Sequence, residues 1–381
     1  MRIGIDGREL LGLRTGVGRY TANLCEQWTA SPSAAGHQLV LYTPAPLGSL
    51  PGATGGAMPR GARLGSTVVP GAGDGWWEQT ALAQQAAGDG LDVFFGPAYS
   101  LPLRLDVPSV VTLHDISFMA HPEWFGWREG FRRRWLARRA AATARTVVTV
   151  SSFSRHEILR HCDLDPARVR VIHNGVAVPA AQAAPAPPAD GTRGRTTGRP
   201  PLILYVGALF TRRRLPTLLA AFGLVARRVP SAELVIVGPD RTYPPQDLPG
   251  IAEATGVASR VTFRAYVSDG ELAALYRRAT VFAYLSEYEG FGLTPLEALA
   301  AGVPVVAGDT AVAREVYADA ARYVPVDDHA AVAAALVEMI TEPEARAAVL
   351  AARAPLLARL TWARAAAATL AVLEEAAASP L

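Results

Sequence analysis

The chain has 381 residues, half of them hydrophobic although much of that fraction is alanine, and a formal net charge of +3 with a pI of about 9.0; this is enough apolar material for two buried cores. The mild basic excess suits anionic small ligands or an acidic membrane surface and is too small to argue for nucleic acid. No lysine occurs, so every strong cation is arginine, the side chain that grips phosphate with a planar fork. Cys25 and Cys162 lack partners at metal-ligand spacing and read as free thiols of a reducing compartment. Asp6 interrupts the first apolar run and no eighteen-residue apolar stretch follows. Neither a signal peptide nor a spanning helix is therefore expected. The expectation is a cytoplasmic chain, at most peripheral at the inner face of the membrane.

Along the chain, strands are predicted at 3–6, 39–42, 92–95, 109–113, 146–150 and 169–172, with helices at 76–87, 128–144 and 153–161 among them. The alternation resumes with strands at 202–206, 233–237, 261–263, 281–284 and 303–306. Nearly all-apolar strands separated by helices predict parallel sheets covered on both faces. Residues 43–75, rich in Gly and Pro, read as a long loop. Residues 178–201, rich in Pro, Ala, Gly and Thr, cannot build a core and read as a linker. The predicted fold is α/β: two doubly wound, Rossmann-like domains at 1–177 and 202–360, joined by 178–201 and followed by an alanine-rich helix at 361–381. Such domains place their ligand crevices at the C-terminal ends of the strands. Two crevices that face each other would make the cleft between the domains the site.

The predicted strand at 281–284 runs toward E-G-F-G-L-T-P-L-E at 289–297. Gly290 and Gly292 let the backbone approach a ligand closely. Thr294 and Pro295 predict the N-cap and first residue of a helix, whose unpaired N–H groups offer a site for a diphosphate. Glu289 and Glu297 flank that anion site and suit hydrogen bonds from sugar and ribose hydroxyls. Two readings of Glu297 compete: a ribose ligand, or the acidic member of a T-x-x-E capping box.

After the strand at 202–206 and Gly207, the residues Arg212, Arg213 and Arg214 open the next helix near Pro216. Arginines at a strand's C-terminal end suit a departing diphosphate; the competing reading is a solvated charge run. Gly16, Val17 and Gly18 do not make a dinucleotide fingerprint, because Thr21 stands where the third glycine is required. His114 follows the strand at 109–113, where sites form, with Asp115 beside it; a structural histidine is the alternative. Asp163-Leu164-Asp165 precedes Pro166 and reads as turn chemistry, so no metal is expected. Residues 124–141 carry Trp124, Phe125, Trp127, Phe131 and Trp135 beside Arg128, Arg132, Arg133, Arg134, Arg138 and Arg139. Such a helix can make peripheral contact with an anionic membrane. The preferred reading is a domain helix with its aromatics in the core and its arginines solvated.

The stretch E-G-F-G-L-T-P-L-E-A-L-A-A-G-V-P-V-V at 289–306 resembles the E-x7-E donor-site signature of the family 4 retaining glycosyltransferases of GT-B fold. Further motifs keep the family's order: T-G-V-G-R-Y at 15–20, H-D-I-S-F at 114–118, H-P-E-W-F at 121–125, V-S-S-F-S-R at 150–155, H-N-G-V at 173–176 and V-G-A-L-F-T-R-R-R at 206–214. The ensemble is similar to bacterial mannosyl- and glucosyltransferases of cell-envelope or polysaccharide assembly. The resemblance implies two domains facing across a cleft, the first binding the acceptor and the second a nucleoside diphosphate sugar, with the C-terminal helix packing back toward the first. It implies transfer of a hexose to a hydroxyl of a carbohydrate, lipid-linked or small-molecule acceptor, with retention and without metal or other cofactor.

By position, Glu289 would contact the transferred sugar and Glu297 the ribose, which tips Glu297 toward that role. The amides of Phe291, Gly292 and Leu293 would meet sugar hydroxyls and phosphates, and Gly290, Thr294 and Gly207 fall in the same donor segment. Arg212 and Arg213 would hold the diphosphate, Arg213 standing where the family usually has lysine; Ala208 stands where some members carry arginine. Gly16, Val17 and Gly18 would form the loop at which acceptor and phosphate come close. His114 would bind a sugar hydroxyl or the acceptor, and Asp115 would orient its neighbours. The implied catalytic residues are Glu289, His114 and Arg213. Rival readings are a GT-B-like sugar-nucleotide epimerase and a non-catalytic sugar-nucleotide binding protein. A glycogen-type phosphorylase would need a pyridoxal lysine, which the chain lacks.

Overall fold

The computed structural model describes residues 1–12, 16–51, 60–176 and 199–378. Thr15 and most of the predicted linker lie outside the described residues. The chain divides into two compact units. Unit 1 comprises Met1–Ala120, Trp127–Gly175 and Leu360–Leu381; unit 2 comprises His121–Gly126 and Val176–Arg359.

Unit 1 is built on seven parallel strands: β1 (Arg2–Asp6), β2 (Gln38–Thr43), β3 (Arg63–Val68), β4 (Val93–Gly96), β5 (Ser109–Leu113), β6 (Thr146–Thr149) and β7 (Val169–Val171). Their order is β3-β2-β1-β4-β5-β6-β7. Parallel neighbours require crossover connections, and helices supply them: α1 (Gly16–Ala30), α2 (Trp127–Thr143) and α3 (Ser152–His161). Ile3, Ile5, Leu39, Phe95, Val110 and Val148 are fully buried in the sheet, and Leu24 and Trp28 of α1 pack on them.

Unit 2 repeats the plan with β8 (Leu202–Val206), β9 (Glu233–Val237), β10 (Val261–Arg264), β11 (Val281–Tyr284), β12 (Val305–Gly308) and β13 (Arg322–Val324), in the order β10-β9-β8-β11-β12-β13. Its helices include α4 (Leu215–Arg228), α5 (Asp269–Arg278), α6 (Leu293–Ala300) and α7 (His329–Thr341). Each sheet reverses its order once, between β1 and β4 in unit 1 and between β8 and β11 in unit 2. In doubly wound sheets, that switch point is where a crevice opens beyond the strand ends.

A last helix, α8 (Trp362–Ala378), belongs to unit 1. The Trp28 indole N–H donates to the Ala366 carbonyl at 2.8 Å, across 338 residues of sequence. Trp362, Ala365, Leu370 and Leu373 join the core of β1, β2 and β4. Gly175, from the H-N-G-V motif, is required by this packing: a Cβ there would lie 2.1 Å from the Trp362 backbone nitrogen. Residues Pro343–Ala378 are long and apolar enough in composition to cross a membrane. The structure breaks them into helices Pro343–Ala351, Arg353–Arg359 and α8 and buries half of their most apolar window.

Four sequence expectations are corrected. The loop predicted at 43–75 contains β3, which pairs with β2 along its whole length. As a largely exposed edge strand it carries no apolar run to announce it. β13 was unpredicted because it is an edge strand of three residues, too short to show a pattern. Gly16, Val17 and Gly18 form the first turn of α1 and not a loop. The aromatics of α2 are not core: its buried residues are Gly130, Ala137, Ala140 and Ala141, so the small face meets the domain and Trp127, Phe131 and Trp135 are exposed.

Two motif glycines, Gly175 and Gly16, should separate cleanly. Gly175→Ala is expected to cost about 1–3 kcal/mol by overpacking, read as a lower denaturation midpoint. Gly16→Ala, whose added methyl meets nothing within 4 Å, should leave the midpoint unchanged or higher. Equal effects of the two substitutions would contradict the packing of Trp362 on Gly175.

Candidate functional site

The loops after β8 and β11 meet at the switch point of unit 2, and charge holds them together. Arg213 lies in a short 3-10 turn, Thr211–Arg213, and its Nη1 pairs with Glu289 Oε1. Both side chains are buried, as is Arg212. The Arg213 guanidinium stacks over the Tyr284 ring, 4.7 Å from its centroid, and that of Arg212 over Phe210 at 4.3 Å. This excludes the solvated charge run as a reading of Arg212 and Arg213. Arg214 adopts a left-handed conformation, φ 52°, and its Nε donates to Glu287 Oε2 at 2.8 Å. The Glu287 N–H in turn donates to the Arg212 carbonyl at 3.0 Å.

Ser286 Oγ donates to Glu289 Oε1 at 2.6 Å, so that oxygen is fully engaged. Arg213 Nε is buried without a hydrogen-bond partner. Tyr205 and Tyr317 close around the pair. Burial pushes the Tyr205 hydroxyl up to about 12. The Tyr317 hydroxyl is pushed well above its ordinary value by burial and then by the Glu289 charge. Both stay neutral hydrogen-bond donors, Tyr205 to the Ala208 carbonyl at 3.2 Å and Tyr317 to the Gly292 carbonyl at 3.1 Å. Gly207 follows β8 directly, its N–H donating to Val237 at 2.9 Å.

Helix α6 begins two residues earlier than its sequence suggests. Gly292 is the N-cap at φ 80°, where a Cβ would lie 2.1 Å from Tyr317 Oη. Thr294 therefore sits inside the first turn, its Oγ1 buried without a hydrogen-bond partner, and no capping box forms. Tyr276 Oη of α5 donates to Glu297 Oε2 at 3.1 Å. The capping reading of Glu297 is overturned. The first N–H groups of α6, from Leu293 onward, have no intrahelical acceptor and carry the positive end of the dipole. Gly290, Phe291 and Gly292 lead the chain from Glu289 into this turn. The segment His121–Gly126 also packs here: His121 stacks on Trp124 at 3.9 Å and meets the Tyr288 ring edge-on at 5.3 Å.

The other predicted residues belong to unit 1. His114, at the end of β5, has Nε2 2.8 Å from the Pro97 carbonyl after β4. A carbonyl only accepts, so the proton is on Nε2 and Nδ1 carries the lone pair. Burial holds the pKa of His114 below the ordinary 6.5, which keeps the ring neutral at pH 7. Tyr20 of α1 meets His114 edge-on at 4.7 Å, so the helix that opens with Gly16, Val17 and Gly18 packs on this histidine. Asp115 Oδ1 accepts from the N–H and the hydroxyl of Ser117 at 2.9 and 2.7 Å, tying down the short helix Ser117–Ala120. Ser151 caps α3, and Ser154 Oγ donates to the His114 carbonyl at 3.3 Å. Asp165 accepts from the Ala167 N–H at 2.8 Å, as turn chemistry predicts. Among the described residues no three His, Cys, Asp or Glu side chains are grouped to hold a metal ion.

Several site residues carried no sequence signal. Ser286, Tyr205, Tyr284, Tyr317 and Tyr276 converge from separate elements, and only the fold brings them together. A second charged cluster lies at the end of β1. Arg8 bridges Asp6 and Glu78, its Nε 2.8 Å from Asp6 Oδ2, and Ser100 Oγ donates to Glu78 Oε1 at 2.7 Å. Burial raises the Glu78 pKa against the opposing pull of Arg8. Asp6 ends a strand at the switch point of its sheet, which is the signal that could have marked it.

Two family models match the chain: Glycosyltransferase Family 4 over residues 14–178 and Glycosyl transferases group 1 over residues 193–353. The O-antigen chain mannosyltransferase B of Escherichia coli is 29% identical over 256 residues, covering 66% of this chain and 65% of that protein. A GDP-mannose-dependent alpha-(1-6)-phosphatidylinositol monomannoside mannosyltransferase of Mycobacterium tuberculosis is 31% identical over 230 residues, covering 58% and 59%. The chain thus spans about two thirds or less of the length of these curated relatives. Among solved structures, the lipopolysaccharide glycosyltransferase WaaG matches with a TM-score of 0.74 at 17% identity, over 98% of this chain and 99% of that one. Anabaena HepE, solved with UDP and glucose, matches with a TM-score of 0.73 at 18% identity, over 98% and 100%. Sharing both family models and this two-sheet fold, the chain belongs to the family 4 glycosyltransferases of GT-B fold.

Proposed function

We propose that the chain transfers a hexose from a nucleoside diphosphate sugar to a hydroxyl acceptor, with retention at the anomeric carbon. One observation carries the reading: the buried Arg213–Glu289 pair, set where the chain turns into the first turn of α6. In this mechanism Arg213, Arg212 and the amides of Phe291, Gly292 and Leu293 stabilise the charge that grows on the departing diphosphate. Glu289 Oε2 accepts a hydroxyl of the transferred sugar, and Glu297 accepts a ribose hydroxyl. The leaving phosphate assists the incoming hydroxyl on the same face, so no enzymic nucleophile is needed. Arginines and amides supply the charge stabilisation, and the reading needs no metal or other cofactor. Neutral His114 accepts a hydroxyl proton at Nδ1, and the helix start at Gly16, Val17 and Gly18 lies on its side of unit 1 with Asp115. The mannosyltransferase names of both relatives favour a mannosyl donor, and the acceptor is a carbohydrate, a lipid-linked sugar or a small molecule of envelope or polysaccharide assembly. The chain works in the cytoplasm, at or near the inner face of the membrane.

Glu289→Gln keeps the shape and an acceptor for Arg213 but removes the charge, and is expected to lower kcat/KM by about a hundredfold or more with the fold intact. Near-parental turnover in a screen of UDP-, GDP- and ADP-sugars, or inversion of the product's anomeric configuration by NMR, would defeat the reading. Glu297→Gln still accepts from Tyr276, so its denaturation midpoint should match the parent while donor Kd rises about tenfold. Unchanged donor affinity removes the ribose role.

His114 supplies a pH test. Its folded-state pKa lies below 6.5, so the unfolded chain takes up this proton first as pH falls. Stability should therefore decline as pH drops through the window below about 6.5, and kcat/KM should fall once His114 itself is protonated. His114→Gln should flatten that part of the midpoint-against-pH curve; an unchanged slope would refute the assignment of the proton.

A further inference from the structure

Helix α2 turns its large side chains to solvent. Trp127, Phe131 and Trp135 recur every four residues, which puts them on one face of the helix, and they are 74%, 64% and 47% exposed. Trp76, 77% exposed, adjoins this surface: a Cβ on its neighbour Gly75 would lie 3.7 Å from Arg132 Nη1 and 3.8 Å from Leu136 Cδ1. Single exposed apolar side chains are ordinary, whereas neighbouring large aromatics on one surface mark an interaction site.

Arginine surrounds the aromatic face. Six arginines and one glutamate lie in α2, and Glu129 is engaged by Arg133. The Arg128 guanidinium packs on Trp127 at 5.0 Å and that of Arg139 on Trp135 at 5.9 Å. A groove of about 570 Å³ runs beside this face, between α2 and the residues that follow α3. Phe131 and Trp135 line it together with Arg134, Arg138 and Arg139, and Asp163 is the one acidic side chain among its lining residues.

We propose that this face docks on an anionic phospholipid surface, with a headgroup phosphate in the groove among Arg134, Arg138 and Arg139. Trp127, Phe131 and Trp135 then lie at the boundary of headgroup and acyl chain, where amphipathic rings are favoured. The charge complementarity is that of a basic surface with an acidic leaflet. A soluble phosphate would engage the arginines and leave the aromatic stripe without a purpose. The proposal sharpens the peripheral placement given above but does not rest on sugar transfer, since none of its residues is assigned to donor or acceptor.

The experiment is flotation of the full chain at low salt with phosphatidylcholine vesicles and with vesicles in which a third of the lipid is phosphatidylglycerol. The protein should float with the anionic vesicles, stay behind with the neutral ones, and detach at high salt. Two variants, Trp127→Ser/Phe131→Ser/Trp135→Ser and Arg138→Glu/Arg139→Glu, should each reduce the bound fraction about tenfold or more. All altered side chains are exposed, so circular dichroism and the denaturation midpoint should match the parent. Failure to float with anionic vesicles, equal flotation with neutral ones, or undiminished binding by either variant overturns the proposal. Retention on a polyglutamate resin at a salt concentration that frees the protein from vesicles also overturns it, in favour of an acidic protein partner. Donor binding is scored separately by thermal shift, so a failed transferase reading and a failed membrane reading are told apart.

Discussion

The organisation of unit 2 depends on a buried pair of opposite charges. Neither Arg213 nor Glu289 could stand at its position alone, because an unpaired charge in such a place costs several kcal/mol. Each therefore fixes the loop that carries the other. The same two loops are tied a second time by the Glu287 N–H on the Arg212 carbonyl and a third time by Arg214 on Glu287. The segments after β8 and β11 consequently behave as one rigid object. Tyr284 beneath the guanidinium and Ser286 on the carboxylate complete it, and the left-handed Gly292 aims α6 at the same point. The pair is thus held in a fixed orientation, the condition for electrostatic preorganisation.

The sheets were legible because both of their faces are covered. A strand buried on two sides must be apolar throughout, and such runs at 202–206, 281–284 and 109–113 stand out in any reading. β3 was invisible because an edge strand with largely solvated side chains obeys no such rule, and β13 because three residues are too few to make a run. Helix α2 misled in the opposite direction. Hydrophobicity assigns Trp127, Phe131 and Trp135 to a core, but Gly130 and three alanines already form a face narrow enough to lie close to the sheet. At Thr294 a good capping residue lost to a glycine two positions earlier, since only Gly292 can adopt the conformation that starts the helix beneath Tyr317.

The site itself was half readable. Glu289 and the arginines announce themselves, because charged residues between a buried strand and a helix are conspicuous. The neutral residues that hold them do not: a lone serine or tyrosine has no pattern, and their convergence is a product of the crossovers. Other motif residues proved architectural. Gly175 is a contact surface for Trp362, and Ser151 and Ser154 cap a helix and support the backbone of His114. A shared motif therefore marks places where the fold admits one residue as well as places that meet a ligand.

Helix α8 has a consequence for the order of events during synthesis. The core of unit 1 takes in Trp362, Leu370 and Leu373, which leave the ribosome after every strand of both sheets. The first half of the chain therefore waits, with Trp28 and Leu24 uncovered on α1, while unit 2 is made and closes by itself. Unit 1 is completed by a helix that emerges after all of unit 2, so the part that begins first acquires its full core only after the second part has been made.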